Sequence, residues 1–395
     1  MIRTCCAACG KLLPHTAPRC GNCSTPYCDR DCQKLNWKTG GHKDICKEIK
    51  KAGGVQQYCA DTRCAEAIAL AVEECADDTK GHTCYICTEA VHWKTKEGLV
   101  RGCACRGVSG FVHVSCLVEQ AKIWNDEAEE NNLDDERADA RWLQWLKCSV
   151  CEQHYHGVVE HALGWACWKT YLGRPETDAS RQCALGLLGE GLIANRDFQT
   201  ALAVFEAKLD MQRRLWPSRD VLRVETNIAE CYAALGRHEE AINRRRAIYD
   251  KCLAKDGPTG ERVIVYGLEL ARSLVGDYFF AEAKTFLRDL IPKAESVFGN
   301  QDHDTLILQV LYAEAVHKDA DSSLDEQREA IAMIEDSHRI ARQVYGASHP
   351  RCEDAEQTLE SARKRLSAQE ARLVEDASEK LAQGLRIDDD ESEAP

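Results

Sequence analysis

The chain has 395 residues, of which 44% are hydrophobic, so it is long enough for two or more domains and at least one hydrophobic core. Its net charge of -14 argues against a general attraction to nucleic acid or anionic membranes, although residues 1–51 carry ten Lys and Arg against four Asp and Glu. No run of eighteen apolar residues and no signal-peptide pattern occurs, so we expect a soluble protein of the cytoplasm or nucleus.

Cysteine spacing is the strongest signal near the start of the chain. There are 23 cysteines, an odd number, and in a reducing compartment metal binding explains them better than disulfides do. A CxxC pair presents two thiolates on one turn, and CxxxC or HxxxC does so across one helical turn, as a tetrahedral zinc requires. The first pairs are Cys6 with Cys9, Cys20 with Cys23, Cys28 with Cys32, and His42 with Cys46, and Cys5 remains an alternative to Cys6.

These pairs and the stretch YCDRDCQKLNWKTGGHKDIC resemble the MYND zinc finger, and residues 1–55 are assigned to such a domain. The resemblance implies that short proline-containing peptides bind beside Gln33 and Trp37. The alternative for Trp37 is packing against the metal core alone. The family's cross-brace would place one zinc on Cys6, Cys9, Cys28 and Cys32, and another on Cys20, Cys23, His42 and Cys46.

Residues 56–79 are predicted to form a helical linker, in which Cys59, Cys64 and Cys75 lack a partner at ligand spacing. A second group of eight ligands follows, in the order C4HC3. Glycines and a short β-branched run surround its middle, so bound metal is expected to replace most of a hydrophobic core there. The pairs are Cys84 with Cys87, Cys103 with Cys105, His113 with Cys116, and Cys148 with Cys151.

The CxC pair and the seven-residue gap before His113 resemble the RING-CH domain more than the PHD finger. Residues 80–160 are assigned to it, with an acidic insertion at 124–141. Structural zinc sites with four protein ligands are closed, so we expect four structural Zn²⁺ ions in the chain and no metal-ion catalysis. In that family's cross-brace, one ion takes Cys84, Cys87, His113 and Cys116, and the other takes Cys103, Cys105, Cys148 and Cys151.

Domains of the RING-CH family commonly recruit a ubiquitin-conjugating enzyme, and the resemblance implies that Ile86, inside the first CxxC pair, contacts this carrier. Two expected contacts are missing. Gln120 stands where a tryptophan is usual, and Glu152 stands where many active RING ligases have a basic residue. The sequence therefore leaves open whether the domain is an E3 ubiquitin ligase or a degenerate RING used for binding.

Beyond a connector at 161–180, apolar residues at i, i+3 and i+4 predict helices over 181–370. Alanines recur at intervals of 40, 42 and 47 residues, and glycines suited to ending a helix follow the last three by sixteen residues. Helix pairs at this period resemble the long tetratricopeptide repeats of kinesin light chain, which implies a concave surface that binds peptides or proteins. The repeated positions are Ala201, Ala241, Ala283 and Ala330, with Gly257, Gly299 and Gly346.

Five cysteines near or within these repeats have no ligand spacing and are predicted to be buried apolar residues. The acidic segment 371–395 is predicted to be a disordered tail. The five cysteines are Cys167, Cys183, Cys231, Cys252 and Cys352.

The predicted fold class is mainly α, with two small cross-braced zinc-finger domains followed by an α-solenoid of tetratricopeptide-type helix pairs. No P-loop, GxSxG or HExxH motif indicates another activity. The leading hypothesis is a zinc-binding interaction protein whose MYND finger and repeats recruit targets for a RING-CH type E3 ubiquitin ligase. The alternative is a non-enzymatic adaptor or scaffold. Partners are expected to be proteins or peptides, without nucleic acid or membrane.

Overall fold

The computed structural model describes residues 6–390 except 12, 14–15 and 346–349. Within these ranges the chain is helical and contains no β-strand, which confirms the mainly α class. No helix in the described ranges combines the length and apolar character needed to cross a membrane. Extended segments form isolated bridges that flank metal-ligand pairs. They join Arg19 to Pro26, Val100 to Val112, and Lys147 to His154.

The chain divides into two compact units, Met1–Gly236 and Arg237–Pro395. The helices of the first are α1 Arg30–Lys38, α2 His42–Lys51, α3 Val55–Glu74, α4 Ala76–Thr79, α5 Val114–Glu130, α6 Asp135–Trp142, α7 Gly157–Tyr171, α8 Ala179–Ala194, α9 Phe198–Leu215 and α10 Leu222–Ala234. Those of the second are α11 His238–Asp256, α12 Glu261–Gly276, α13 Phe280–Phe298, α14 His303–Lys318, α15 Leu324–Tyr345 and α16 Pro350–Asp390.

Helix α7 is the centre of the first unit, although its sequence was assigned to the end of the RING-CH segment and a connector. It contacts α3 and α8, and most of its residues are buried. The two backbones of α7 and α8 approach closely at a glycine, because a Cβ on Gly164 would lie only 2.9 Å from the carbonyl oxygen of Leu187. On α3, small residues at helical spacing form the buried stripe. They are Ala60, Cys64, Ala67 and Ala71.

We expect Gly164→Ala to destabilise the first unit. Alanine normally stabilises a helix by up to about 1 kcal/mol relative to glycine, whereas overpacking costs about 1 to 3 kcal/mol. A net decrease in the free energy of unfolding, measured by chemical denaturation, would show that the close contact between the backbones of α7 and α8 outweighs the gain in helix propensity. Gly173→Ala, just after the end of α7, is the control for losing a glycine without the close contact, because a Cβ there meets no atom within 4 Å, and an equal loss from both substitutions would contradict the close approach.

Helices of the second unit pack in chain order, and α14 also contacts α12 and α16. This succession of helix pairs, each packed on its neighbours, is the arrangement of an α-solenoid. Gly257 and Gly299 end α11 and α13 with φ of 76° and 91°, as predicted, since glycine takes this conformation without strain. Gly346, the third predicted helix end, lies outside the described residues.

A buried ion pair links α13 to the segment between α14 and α15. Lys284 is 9% exposed, and its Nζ lies 2.7 Å from Asp319 Oδ2 and 3.0 Å from Ser322 Oγ. Glu326 adds a second carboxylate at 3.7 Å. Burying an ammonium group without partners is costly. These contacts therefore favour one fixed position of α13 relative to the segment that joins α14 to α15.

The carboxyl-terminal segment differs from its prediction. Helix α16 continues to Asp390, so residues 371–390 are helical where a disordered tail was expected. The segment ARLVEDASEKLAQGLR consists largely of strong helix formers and has no proline, and this propensity prevails over its acidic end. Residues 391–395 lie outside the described part of the chain.

Candidate metal centres

Among the described residues of the first unit, four groups of ligand atoms converge. In each group the cysteine Sγ and histidine nitrogen atoms all lie within 4.8 Å of one another. Every group joins the first pair of a module to its third, or the second to its fourth, which is the cross-braced order that both resemblances imply. The groups are Cys6, Cys9, Cys28 and Cys32; Cys20, Cys23, His42 and Cys46; Cys84, Cys87, His113 and Cys116; and Cys103, Cys105, Cys148 and Cys151. Cys5 lies outside the described residues.

The four CxxC pairs share one backbone turn. In each, the residue after the second cysteine donates its N–H to the carbonyl of the first cysteine at 2.8 or 2.9 Å. That residue takes a left-handed conformation, and the turn leaves both sulfurs on one side. The closing residues are Gly10, Ser24, Thr88 and Glu152, with φ of 73°, 60°, 65° and 57°.

The remaining ligands come mainly from the starts of helices. Asp29 caps α1 and accepts the N–H of Cys32 at 2.8 Å, which fixes this ligand in the first turn. His42 and Cys46 lie one turn apart on α2. His113 is the residue before α5, and Cys116 stands in its first turn. Helix starts therefore hold five of the eight remaining ligands, including both members of the His42–Cys46 and His113–Cys116 pairs.

Distances between ligand atoms fit a zinc ion. Zinc binds thiolate sulfur at about 2.3 Å and imidazole nitrogen at about 2.0 to 2.1 Å, so tetrahedral geometry separates two sulfurs by about 3.8 Å and a sulfur from a nitrogen by about 3.6 Å. Cys20 and Cys46 Sγ are 3.9 Å apart, and Cys105 and Cys148 Sγ are 3.8 Å apart. Cys87 Sγ lies 3.3 Å from Nδ1 of His113. The donor set and its spacing both suit zinc.

Electrostatics in the first group also favour a cation. Burial opposes ionisation of Cys6, but backbone N–H groups of Cys28 and Cys9 lower its pKa to about 6. The pKa values of two neighbouring thiols are shifted in the opposite direction. The side chain of Cys9 is the main cause that raises the pKa of Cys28 to about 11, and burial followed by Cys6 raises the pKa of Cys32 to about 12. A divalent ion would stabilise all the thiolates together.

A fifth turn of the same kind contains no cysteine, and the sequence reasoning missed it. Lys96 donates its N–H to the carbonyl of His92 at 2.9 Å and has φ of 62°. Hydrogen bonds replace the metal, because His92 Nδ1 accepts the N–H of Thr95 at 3.1 Å and lies 2.8 Å from its hydroxyl. The His92 ring is buried 5.3 Å from that of His113. The sequence signal was the stretch HWKTK at 92–96, in which His92 and Thr95 have the spacing of the two cysteines in a CxxC pair.

The predicted carrier contact lies on the surface of the second module. Ile86 is 37% exposed, and Val150, inside the last CxxC pair, is 51% exposed. Tyr85 Oη lies 3.3 Å from Ser149 Oγ, so the two turns that carry these apolar residues are adjacent. Trp124, one turn beyond Gln120, is covered by a guanidinium group of α6.

The predicted peptide contacts lie on α1. Gln33 is half-buried, whereas Trp37 is 42% exposed. The indole of Trp37 lies 5.7 Å from the ring of the ligand candidate His42. Trp37 therefore packs against the metal group and still presents surface to solvent. This position is compatible with both alternatives from the sequence, contact with a peptide and packing against the metal core alone.

Other histidines after the last pair make local hydrogen bonds. His161, buried in α7, accepts from Nε1 of Trp165 at 3.0 Å. His154 takes part in the bridge with Lys147. Among the described residues no further group of ligand atoms includes them.

Comparison with known proteins supports the first module directly, since residues 6–46 match the family model of the MYND finger. No curated protein matches the chain. Among solved structures, the chain is similar to the kinesin light chain TPR-like repeats of Podosopora anserina, with 17% identity over 58% of this chain and 97% of that one and a TM-score of 0.40. It is also similar to BtubC (BKLC) of P. vanneervenii, with 13% identity over 65% and 92% and a TM-score of 0.35.

Proposed function

We propose that this zinc-binding interaction protein is an E3 ubiquitin ligase of the RING-CH type, acting in the cytoplasm or nucleus. Its second module, residues 80–160, would hold a ubiquitin-conjugating enzyme, while the MYND finger and the helix pairs of 181–370 bind the target. The chain would contribute proximity and orientation, which by themselves accelerate a transfer reaction. No side chain of its own would form a covalent intermediate.

All sixteen residues of the four groups are proposed as structural zinc ligands, one ion to each group. With four protein ligands per ion no position is left for water or substrate, so the metal would hold the fold and not take part in a reaction. Gln33 and Trp37 are proposed contacts of a proline-containing peptide, supported by the exposed indole on α1.

The observation that carries the ligase proposal is the pair of exposed apolar residues on adjacent zinc turns, Ile86 and Val150. Exposed apolar side chains held on a rigid scaffold are suited to bind another protein. Each is placed by a CxxC turn whose backbone hydrogen bonds leave little freedom. The carrier would therefore meet a preformed surface.

Ubiquitin transfer tests the proposal. We expect zinc-loaded protein to form ubiquitin chains on itself with at least one carrier from a panel, and Ile86→Ala to lower the rate about tenfold, because a central interface contact is worth about 1 to 2 kcal/mol. Val91→Ala is the matched control, since Val91 is 53% exposed on the same module but lies outside the CxxC turns. Equal rates for both variants would contradict the assigned surface.

A non-enzymatic adaptor is the second candidate, and Glu152 favours it. This acidic residue closes the last CxxC turn with a left-handed backbone, at the position where a cation would contact ubiquitin. In this case both modules would bind proteins and nothing would be transferred. Absence of transfer with every carrier, by folded protein that retains zinc, would support the adaptor over the ligase.

A further inference from the structure

Exposure to solvent distinguishes one of the four metal groups. Cys9 is exposed, and Cys28 and Cys32 are half-buried. In the neighbouring group of the same finger, all four ligand candidates are buried. No ligand candidate of the second module is exposed, and all eight of them are described residues. The exposed group is named here the outer zinc group and consists of Cys6, Cys9, Cys28 and Cys32.

The exposed sulfur lies beside a second sulfur with which it can form a disulfide. Sγ of Cys9 is 3.4 Å from Sγ of Cys28. The backbones near them are joined, because the N–H of Ala7 donates to the carbonyl of Pro26 at 3.1 Å. A disulfide holds its sulfurs at about 2.0 Å, so these atoms need to approach by only about 1.4 Å. The fold therefore places the two thiols within reach of each other.

Accessible thiolates are the targets of two-electron oxidants. Cysteine reacts with peroxide as the thiolate, and its susceptibility follows thiolate character and exposure. Zinc binding requires deprotonated thiols, so in the loaded protein Cys9 combines the reactive form with an accessible sulfur. The buried thiols of the neighbouring group have the same form but lack the access.

We propose that the outer zinc group is a reversible oxidation site, at which hydrogen peroxide joins Cys9 to Cys28. The thiolate of Cys9 attacks one peroxide oxygen, the O–O bond breaks, and a sulfenic acid and hydroxide form. The thiolate of Cys28 then attacks the sulfur of Cys9, expels a second hydroxide and completes the disulfide. Peroxide gains the two electrons that the thiolates lose, and protonation of both hydroxides gives two waters.

Oxidation leaves the outer zinc group with Cys6 and Cys32 alone, which are too few ligands for a closed zinc site. Cys32 stands in the first turn of α1, so this helix loses its link to the metal. The proposed peptide contacts Gln33 and Trp37 lie on the same helix. The oxidation site rests on the proposed zinc ligands and needs neither ubiquitin transfer nor peptide binding.

Zinc release from the full chain tests the proposal. Zinc-loaded protein is treated with hydrogen peroxide, zinc is followed with a chromogenic chelator, and disulfides are mapped by mass spectrometry. We expect one ion per chain to be released about tenfold faster than the others, because exposure controls the rate, together with a disulfide between Cys9 and Cys28. Reductant and added zinc should reverse both changes. Release of all ions at one rate, or a first disulfide elsewhere, would overturn the proposal.

Cys9→His removes the exposed thiol and keeps a ligand, because imidazole can replace a thiolate at zinc. The variant should retain its zinc and slow the first release about tenfold. A second measurement needs no variant: iodoacetamide should alkylate Cys9 of the native parent before any other ligand candidate, and an earlier reaction at another one would contradict the site. A chain without bound zinc would contradict the zinc ligands and this site together, whereas a loaded chain that releases no ion would contradict this site alone.

Cys183→Ser is the control for an exposed thiol outside the metal groups. Cys183 was predicted to be buried but is exposed on α8, whereas the other four cysteines of that prediction are buried. Its lack of ligand spacing predicted burial by elimination and did not determine which face of the helix it occupies. The substitution should leave the first release of zinc unchanged, and a slower release would assign the oxidation to Cys183 and not to the outer zinc group.

Discussion

Cys148→Ser is expected to release one zinc ion and unfold the second zinc module. Cys148 is 1% exposed, its Sγ lies 3.8 Å from that of Cys105, and it accepts the N–H of Val150 at 3.4 Å. Structural zinc contributes about 10 to 16 kcal/mol to the folding of small finger domains, which exceeds the stability of most domains of this size. A serine hydroxyl is a poor substitute for a thiolate ligand.

The matched control for that substitution is Cys59→Ser, which changes a half-buried cysteine of α3 outside every ligand group. We expect it to leave zinc content and folding unchanged. Limited proteolysis and elemental analysis of the two purified variants provide the comparison. Retention of a full zinc complement and of protease resistance by Cys148→Ser would contradict the assignment of Cys148 as a ligand.

Lys284→Met is expected to lower the free energy of unfolding of the second unit by about 3 to 5 kcal/mol, because it leaves buried Asp319 without its cation. Lys364→Met removes an exposed ion pair with Glu360 and should cost less than about 1 kcal/mol. Chemical denaturation of parent and variants measures both effects. Equal losses for the two substitutions would contradict the role of the buried pair.

The effect of Lys284→Met should depend on pH in one direction. The hydrogen bond from Lys284 lowers the pKa of Asp319 in the folded parent, so its stabilising contribution is present above the ordinary aspartate pKa of about 3.9 and is lost as pH falls. In the variant, protonation at low pH relieves an unpaired buried carboxylate. The difference between variant and parent should therefore be largest near neutral pH and shrink below about pH 4. A constant difference would contradict this linkage.

The ligand pairs could be predicted from the sequence because each depends on only a few consecutive residues. CxxC spacing determines its turn locally and accounts for eight ligands, and the other eight stand in pairs separated by one to three residues, so sixteen side chains could be named without any tertiary information. The combination of pairs into cross-braced groups depends on contacts between residues about twenty to fifty positions apart, and it was predicted from family resemblance and not from spacing. The helix pairs could also be predicted from the sequence, since alanines recur every 40 to 47 residues and glycines follow the last three of them by sixteen residues.

Features that depend on close contact between distant segments were not predicted. Gly164 looks like any helix glycine until the carbonyl oxygen of Leu187 is placed against it. The turn at His92 was overlooked because its histidine and threonine make hydrogen bonds where the other turns have thiols. In these cases the chemistry arises from packing and not from spacing along the chain.

Zinc stoichiometry tests the central claim most directly. Elemental analysis of the purified native chain should find four zinc ions per molecule, one for each group of ligand atoms. Complete chelation should then make the segment that includes both modules sensitive to protease. Clearly fewer than four zinc ions per chain, or the same protease resistance after all metal has been removed, would contradict the claim that metal binding holds this part of the protein in its fold.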